Sequence, residues 1–453
     1  MTAAGERFDT GKMSEQPVDI EEGEAAATEI ACDEAELVEP DNEPMQTEET
    51  QAEAAGCYRP SESDFFKDAA CIEVARCSWD RAARQNYLQG CRWSPDGTCV
   101  LAAVNNDGMH IVELPTDVYG KEEMAEDRPV DILSSAVHVK EGGLVYDYAW
   151  YPGMNSGLPE TCCWIASRQH EPIQLWDAFT GALRCSYKGY DQYDEVEAAL
   201  SLAFSPPDGS TIYGGYKKSI KSFDLNVPGR EKSTWRTKAT ASCMAIASTM
   251  PDTIVFGSWN RSISVLDVRS GETLPVGNYS PANSHTAGVT WLGFAPDTEE
   301  VFVSGARKDP KILLWDVRKL SAPVRTLRRT CATNQRIYLD FSPQGQWLVS
   351  GDTRGILHAW NLREDASDGQ PKELQFPLHW DCLNGVSFHP NAPIVATASG
   401  QYHFATKTSD AEDNDESACP GSTISNATKT EQESKVENSL TLWWVGKGVF
   451  SEE

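Results

Sequence analysis

The cations of this chain that could meet an anion come in short clusters between apolar runs. Arg307-Lys308 follows Val301-Phe302-Val303-Ser304-Gly305-Ala306 and precedes Ile312-Leu313-Leu314-Trp315. Arg168-Gln169-His170, Lys217-Lys218, Asn260-Arg261 and Asp352-Thr353-Arg354 occupy similar polar breaks, and Asn105-Asn106-Asp107 is such a break without a cation. Guanidinium and ammonium groups neutralise phosphates, and Arg adds a planar face that stacks on aromatic rings. Any one of these side chains alone reads as solvated surface. Their interest depends on whether the fold gathers them. No other chemistry competes: the spacing shows no nucleophile elbow, no phosphate loop and no His/carboxylate metal cluster. No catalytic residue, cofactor or metal ligand is therefore assigned, and the chain is not read as an enzyme.

Composition bounds the answer. The chain has 453 residues, 40% of them hydrophobic, and 14 Trp, enough for one large core or several ordinary ones. Its formal charge of −29 is uneven. Residues 1–56 hold 17 Asp/Glu against Arg7 and Lys12, and residues 401–437 hold 8 Asp/Glu against 3 Lys. These stretches account for −15 and −5, leaving −9 elsewhere. An acidic segment with few aromatics cannot bury enough apolar surface to offset its ordering entropy, so residues 1–60 are expected to be a disordered tail. The 13 Cys include no CxxC pair, and there is no apolar leader and no run of about 18 apolar residues. The expected setting is a reducing compartment without a membrane partner, with most Cys acting as small buried hydrophobes.

The elements that would hold the basic clusters repeat. An aromatic followed two places later by Pro occurs at Trp93/Pro95, Trp150/Pro152, Phe204/Pro206, Phe294/Pro296, Phe341/Pro343 and Phe388/Pro390. Later in each unit comes Trp176-Asp177, Phe223-Asp224, Leu266-Asp267, Trp315-Asp316, Trp360-Asn361 or Trp443-Trp444. The fourth unit departs, because Ala247 to Pro251 contains no aromatic. Strand-like runs joined by Pro/Gly turns at this interval match the roughly 40–45-residue unit of a WD40 β-propeller. Units begin near Cys91, Tyr146, Leu200, Ser242, Val289, Arg336 and Leu383. The fold class is therefore all-β, a seven-bladed propeller over 71–453 behind the acidic tail, with 401–437 inserted in the last blade. Too few residues follow Trp444 for an outer strand, so the alternating stretch 71–77 is expected to complete that blade and lock the ring.

In a propeller the turns between second and third strands open on the same face as the loops between blades. All the basic clusters fall in those turns, and the inter-blade segment Thr333-Asn334-Gln335-Arg336 joins them. Five consecutive blades thus carry a cation on one face, whereas the opposite turns read Pro-Asp-Gly or Pro-Gln-Gly. Asn, Gln, Tyr190, Trp259 and Tyr402 are interleaved. This pattern suits single-stranded or looped RNA, whose phosphates and unpaired bases meet cations and aromatic faces. An acidic peptide fits the charge nearly as well. His285, Ser304, Asp309 and Trp315 have the types for a buried polar chain bracing one blade, and are read as structural.

Several strings are more specific than the repeat: Asn86-Tyr87-Leu88-Gln89-Gly90-Cys91-Arg92-Trp93, Tyr146-Asp147-Tyr148-Ala149-Trp150, the run from Ile173 to Gly181, Ser304 to Asp309, Thr333 to Tyr338, Asn384-Gly385-Val386-Ser387 and Ala396 to Gln401. Over about 86–445 the chain resembles the telomerase Cajal body protein family. The resemblance implies a nuclear propeller that binds a loop motif in box H/ACA small Cajal body RNA, and telomerase RNA where present, and directs them to Cajal bodies. It also implies H/ACA ribonucleoprotein proteins, the telomerase holoenzyme and a Cajal body scaffold protein as partners. Arg307, Lys308 and Arg336 lie both in the shared strings and on the basic face, and so lead the expected RNA contacts. Arg168, Arg261, Arg354, Lys217 and Lys218 follow. The other reading is a protein-only adaptor, either a ubiquitin-ligase substrate receptor or a chromatin-peptide reader.

Overall fold

A computed structural model of the chain describes residues 64–79, 85–140, 143–277, 280–281, 283–365, 369–403 and 436–449. The expected tail at 1–60 and residues 404–435 of the expected insertion lie outside them. The described residues form seven sheets arranged as the blades of a propeller, each built on four antiparallel strands, with extra short strands added to the second and seventh. A continuous apolar strand explains the packing. Cys99–Val104 in the first blade is buried at every position, because each blade has a neighbour on both faces. Its alternate side chains divide between them. Val100, Ala102 and Val104 pack with Ile394, Leu440 and Trp444 of the seventh blade, while Leu101 and Ala103 pack with Tyr148 and Trp164 of the second.

The ring closes as the sequence suggested. Ile72–Ser78 pairs antiparallel with Ser439–Trp444, so the two ends of the described chain share the seventh blade. A long excursion between the third and fourth strands of the first blade reinforces this joint. Its Asp131–Ile132 pairs parallel with Ala75 and Arg76, and its Glu123–Ala125 pairs parallel with Lys447–Val449. Arg128 ties the excursion down, donating to the Val74 carbonyl at 2.7 Å and to the Asp117 and Asp131 carboxylates. These contacts cover an outer sheet edge that would otherwise be open to foreign strands.

The folded unit also takes in residues before 71, where the propeller was expected to begin. Phe65 and Phe66 are buried between the sixth and seventh blades, with the Phe66 ring 5.0 Å from that of Trp347 and 5.5 Å from that of Phe376. Two aromatics in an otherwise acidic stretch were the available signal. The fourth blade forms all four strands despite its missing aromatic, through a hairpin that pairs Ala247 with Met250 across a bulge.

The polar chain expected in the fifth blade is present. Trp315 Nε1 donates to Ser304 Oγ at 2.9 Å, Ser304 Oγ lies 2.8 Å from His285 Nε2, and His285 Nδ1 lies 2.9 Å from Asp309 Oδ2. The seventh blade repeats it with different residues: Trp443 Nε1 to Thr397 Oγ1 at 2.8 Å, His379 Nε2 to Thr397 Oγ1 at 2.8 Å, and His379 Nδ1 to Glu437 Oε1 at 2.7 Å. Glu437 is thus a buried structural carboxylate, which corrects its inclusion in the acidic insertion. The chain is hard to see in sequence because Glu437 follows Thr397 by 40 residues.

Candidate nucleic-acid interface

The inner strands of the seven blades surround a channel whose mouth, of about 230 Å³, opens on the face of the second-to-third turns. Gln89, Tyr146, Leu200, Ser242, Thr290, Tyr338 and Asn384 bring one residue from each blade to its wall, and Tyr87, Tyr148, Trp259, Arg307, Gln335 and Arg336 are among the others that line it. Four polar atoms here are buried without a hydrogen-bond partner: Tyr148 Oη, Arg307 Nε, Gln335 Nε2 and Asn384 Oδ1. Donors and acceptors left unpaired in a cavity are costly unless something occupies it.

Arg307 stands at the rim, half-buried, its guanidinium 5.6 Å from the centre of the exposed Trp259 ring. Burial and the neighbouring Arg336 both depress its pKa, and among the described residues no carboxylate contributes to its surroundings. Lys308, beside it, is exposed at φ +48°, with its N–H donated to the Thr333 carbonyl at 3.0 Å. The same left-handed position is taken by Asn106 in the first blade, His170 in the second and Arg261 in the fourth. Arg261 is exposed, as are Lys217 and Lys218 at the third blade. Lys217 and Lys218 border a separate groove that also contains Glu197, Glu231 and Arg236.

Three of the expected contacts are engaged by partners within the ring. Arg336 lines both the mouth and the throat beneath it, and its Nη1 donates to Asp147 Oδ1 at 2.8 Å. Arg92 approaches the same carboxylate at 3.7 Å and lies between the Tyr148, Trp291 and Tyr338 rings, 5.3 to 5.8 Å from their centres. Asp147 in turn accepts the N–H of Leu202 at 2.9 Å, linking the second blade to the third. An inner-strand Asp does the same between the sixth and seventh blades: Asp340 accepts the N–H of Phe388 at 2.7 Å, and burial pushes its carboxyl up to about 6. Arg336 is thus a half-buried cation at the mouth that is already paired with a buried carboxylate. Arg168 is buried, bonded to Gln174 and lying over Trp176 at 5.8 Å. Arg354 is exposed but paired with its own Asp352 at 3.2 Å. Sequence places a residue in a turn without revealing which way its side chain goes, and these three turn toward partners within the ring.

The face gains residues as well. Trp380 precedes the seventh blade and Tyr193 the third, both highly exposed on inter-blade loops. Tyr402 and Trp259 are exposed as expected. Tyr190 is half-buried under Arg230, whose guanidinium is 4.3 Å from the ring centre. An aromatic beside the acidic residue of an inter-blade loop, as in His379-Trp380-Asp381, was the available signal for Trp380.

No protein-family model matches the chain. Its relatives are nonetheless clear. The Telomerase Cajal body protein 1 homolog of Drosophila melanogaster is 43% identical over 397 residues, covering 84% of this chain and 70% of that protein. Telomerase Cajal body protein 1 of Bos taurus is 37% identical over 381 residues, covering 82% and 67%. The chain belongs to the telomerase Cajal body protein family. Telomerase Cajal body protein 1 of Mus musculus adds 36% identity over 405 residues, 85% of this chain and 72% of that protein. The strings that carried the resemblance now have places in this member of the family. Thr333 to Tyr338 builds the sixth-blade side of the mouth, Ser304 to Asp309 joins Arg307 and Lys308 to the fifth-blade polar chain, and Asn384 braces the seam between the seventh and first blades by donating to the Leu88 and Gly400 carbonyls.

Proposed function

We propose that the channel mouth and its surrounding face bind a looped RNA, of the box H/ACA small Cajal body class and telomerase RNA where present, and that the protein directs such RNA to nuclear Cajal bodies. One observation carries this reading: Arg307 is half-buried over an exposed tryptophan with no carboxylate partner among the described residues. An anion there would compensate the desolvated charge, and Lys308 next to it offers a second phosphate contact. Arg261, Lys217 and Lys218 extend the phosphate track around the rim. Trp259, Trp380, Tyr193 and Tyr402 offer flat faces on which splayed bases can stack. Gln335 Nε2 and Asn384 Oδ1, the atoms of these two amides left without a partner, suit the edge of a base entering the mouth. Names of the relatives agree with a telomerase and Cajal body setting; H/ACA ribonucleoprotein proteins, the telomerase holoenzyme and a Cajal body scaffold protein are the partners this reading brings with it.

The test is crosslinking of RNA to the full-length protein in nuclear extract, comparing wild type with an Arg307→Glu/Lys308→Glu variant. Enrichment of box H/ACA RNAs sharing a loop motif, lost in the folded variant, is the expected result. A soluble, folded variant that keeps its RNA would remove these residues from the interface. Recovery no better than from a charge-matched propeller would instead favour an acidic peptide on the same face, and with it the protein-only adaptor.

A further inference from the structure

The first blade holds a side-chain cluster that the RNA reading does not use. Asp107 sits in the turn between the second and third strands, His110 on the third strand, and His138 directly opposite His110 on the fourth. The ligand atoms of the three lie within 4.8 Å of one another. His110 Nε2 is 3.4 Å from Asp107 Oδ2, and His138 Nε2 is 3.7 Å from Asp107 Oδ1 and 2.8 Å from the Asp107 carbonyl oxygen. Two ligands on a tetrahedral zinc ion, with bonds of about 2.0–2.1 Å, stand about 3.3–3.4 Å apart. The spacing is that of groups arranged around an ion.

The buried histidine is the second observation. His110 is 3% exposed, and its Nε2 has no hydrogen-bond partner although a carboxylate faces it. Its other nitrogen, Nδ1, lies 2.8 Å from Ser135 Oγ, an arrangement that fixes the ring and leaves Nε2 as the ligand atom. The edge of Trp79, 5.1 Å away, closes one side of the ring, and His138 stacks on the other at 4.1 Å.

We propose that Asp107, His110 and His138 bind one divalent transition-metal ion of the zinc class, at the seam where the first blade meets the closing seventh. Two imidazoles and a carboxylate are a borderline donor set suited to such ions, with water or the Asp107 carbonyl as a further ligand. The partly exposed His138 ring tilts out of its stack to bring the ion into both ring planes. Asn105-Asn106-Asp107 lacks the cation that the corresponding turns of the next five blades carry, and the ion would supply positive charge there. The sequence hides the site because His110 and His138 are separated by the excursion that straps the ring.

The experiment is a Co²⁺ titration of the full-length protein after chelator treatment and dialysis, read by the visible d–d band of four-coordinate cobalt and by paramagnetic shifts of histidine ring protons. One equivalent of Co²⁺, displaced by Zn²⁺, with two shifted histidine rings, is the expected result. His138→Ala and Asp107→Asn, checked for wild-type circular dichroism, are each expected to weaken binding by more than about ten-fold. No binding, binding unchanged in the folded variants, or a band dominated by thiolate-to-cobalt charge transfer would overturn the proposal. Histidine shifts on the wild-type protein decide the matter even where a variant fails to fold.

Discussion

The two faces of the ring solve the same turn problem with different residues. On the face opposite the mouth, the left-handed position is held by Gly97, Gly209 and Gly345 between first and second strands, and by Gly181 and Gly271 between third and fourth. Glu299 is the exception. On the mouth face, Asn106, His170, Arg261 and Lys308 take that conformation, with φ between +48° and +77°, while the sixth blade uses a glycine there, Gly355 at φ +79°. A side chain there costs about 1 kcal/mol relative to glycine. One face uses turns only to close its blades; the other accepts strain and keeps side chains on display. Strain concentrated on one surface is the pattern expected where that surface binds something.

The sharpest division lies between the display and the throat beneath it. Arg336→Met leaves Asp147, 4% exposed, with only Arg92 at 3.7 Å for a cationic partner. Removing one member of a buried ion pair costs about 3–5 kcal/mol, and Arg92 places the expected loss toward the lower end. Arg307→Met is expected to change stability by no more than about 0.5 kcal/mol, because no carboxylate among the described residues depends on Arg307. Urea unfolding of the two variants measures the difference. Equal losses would mean that Arg307 is as structural as Arg336, and the division would fail.

A smaller effect tests how the displayed loops are held. Glu437 Oε2 accepts the Trp380 N–H at 2.7 Å, so a buried carboxylate fixes the loop that presents an exposed tryptophan. Burial raises the Glu437 pKa, but the hydrogen bonds from His379, Trp380 and Ser439 outweigh it and bring it from 4.5 down to about 2. The unfolded carboxyl therefore binds its proton first as pH falls. Its contribution to stability is present above about pH 4.5 and is lost as pH drops toward 2. Glu437→Gln is expected to cost about 1–3 kcal/mol at neutral pH and to flatten the acid dependence in that window. Denaturant midpoints across the pH range check both. An unchanged acid slope would show that Glu437 does not carry it.

What the sequence made legible was local. The fifth blade shows it: His285, Ser304, Asp309 and Trp315 lie within 31 positions, and their polar chain could be read before any coordinates existed. The seventh blade has the same chain, yet Glu437 is reached only across the long acidic stretch, and composition alone assigns it to a solvated insertion. The repeat likewise gave seven blades and the closing strand, because alternation and turn residues are properties of short windows. Side-chain direction is not. Arg307 and Arg336 are both arginines on the mouth side of their blades, but the burial of Asp147, 189 positions from Arg336, draws one of them inward. The excursion that straps the ring was invisible for the same reason: its short strands of two and three residues take their partners from the two ends of the described chain.

The smallest expected effect has the most diagnostic sign. Lys308→Gly removes the strained side chain at φ +48° and leaves the turn in a conformation glycine adopts freely. Relief of strain is partly offset by the greater freedom of glycine in the unfolded chain, so the gain in stability is expected to be between zero and about 1 kcal/mol. The same change removes one cation from the face. RNA affinity is expected to fall while stability holds or rises, and the dependence of log affinity on log salt is expected to become shallower by about 0.7, the contribution of one single-strand phosphate contact. His170→Gly relieves similar strain in the second blade without removing a lysine or arginine, and its salt slope should match wild type. Thermal melts and a salt series on both variants separate the two contributions. If Lys308→Gly destabilises the ring, the residue is holding the turn and not displaying a charge, and the contrast between the faces loses its functional meaning.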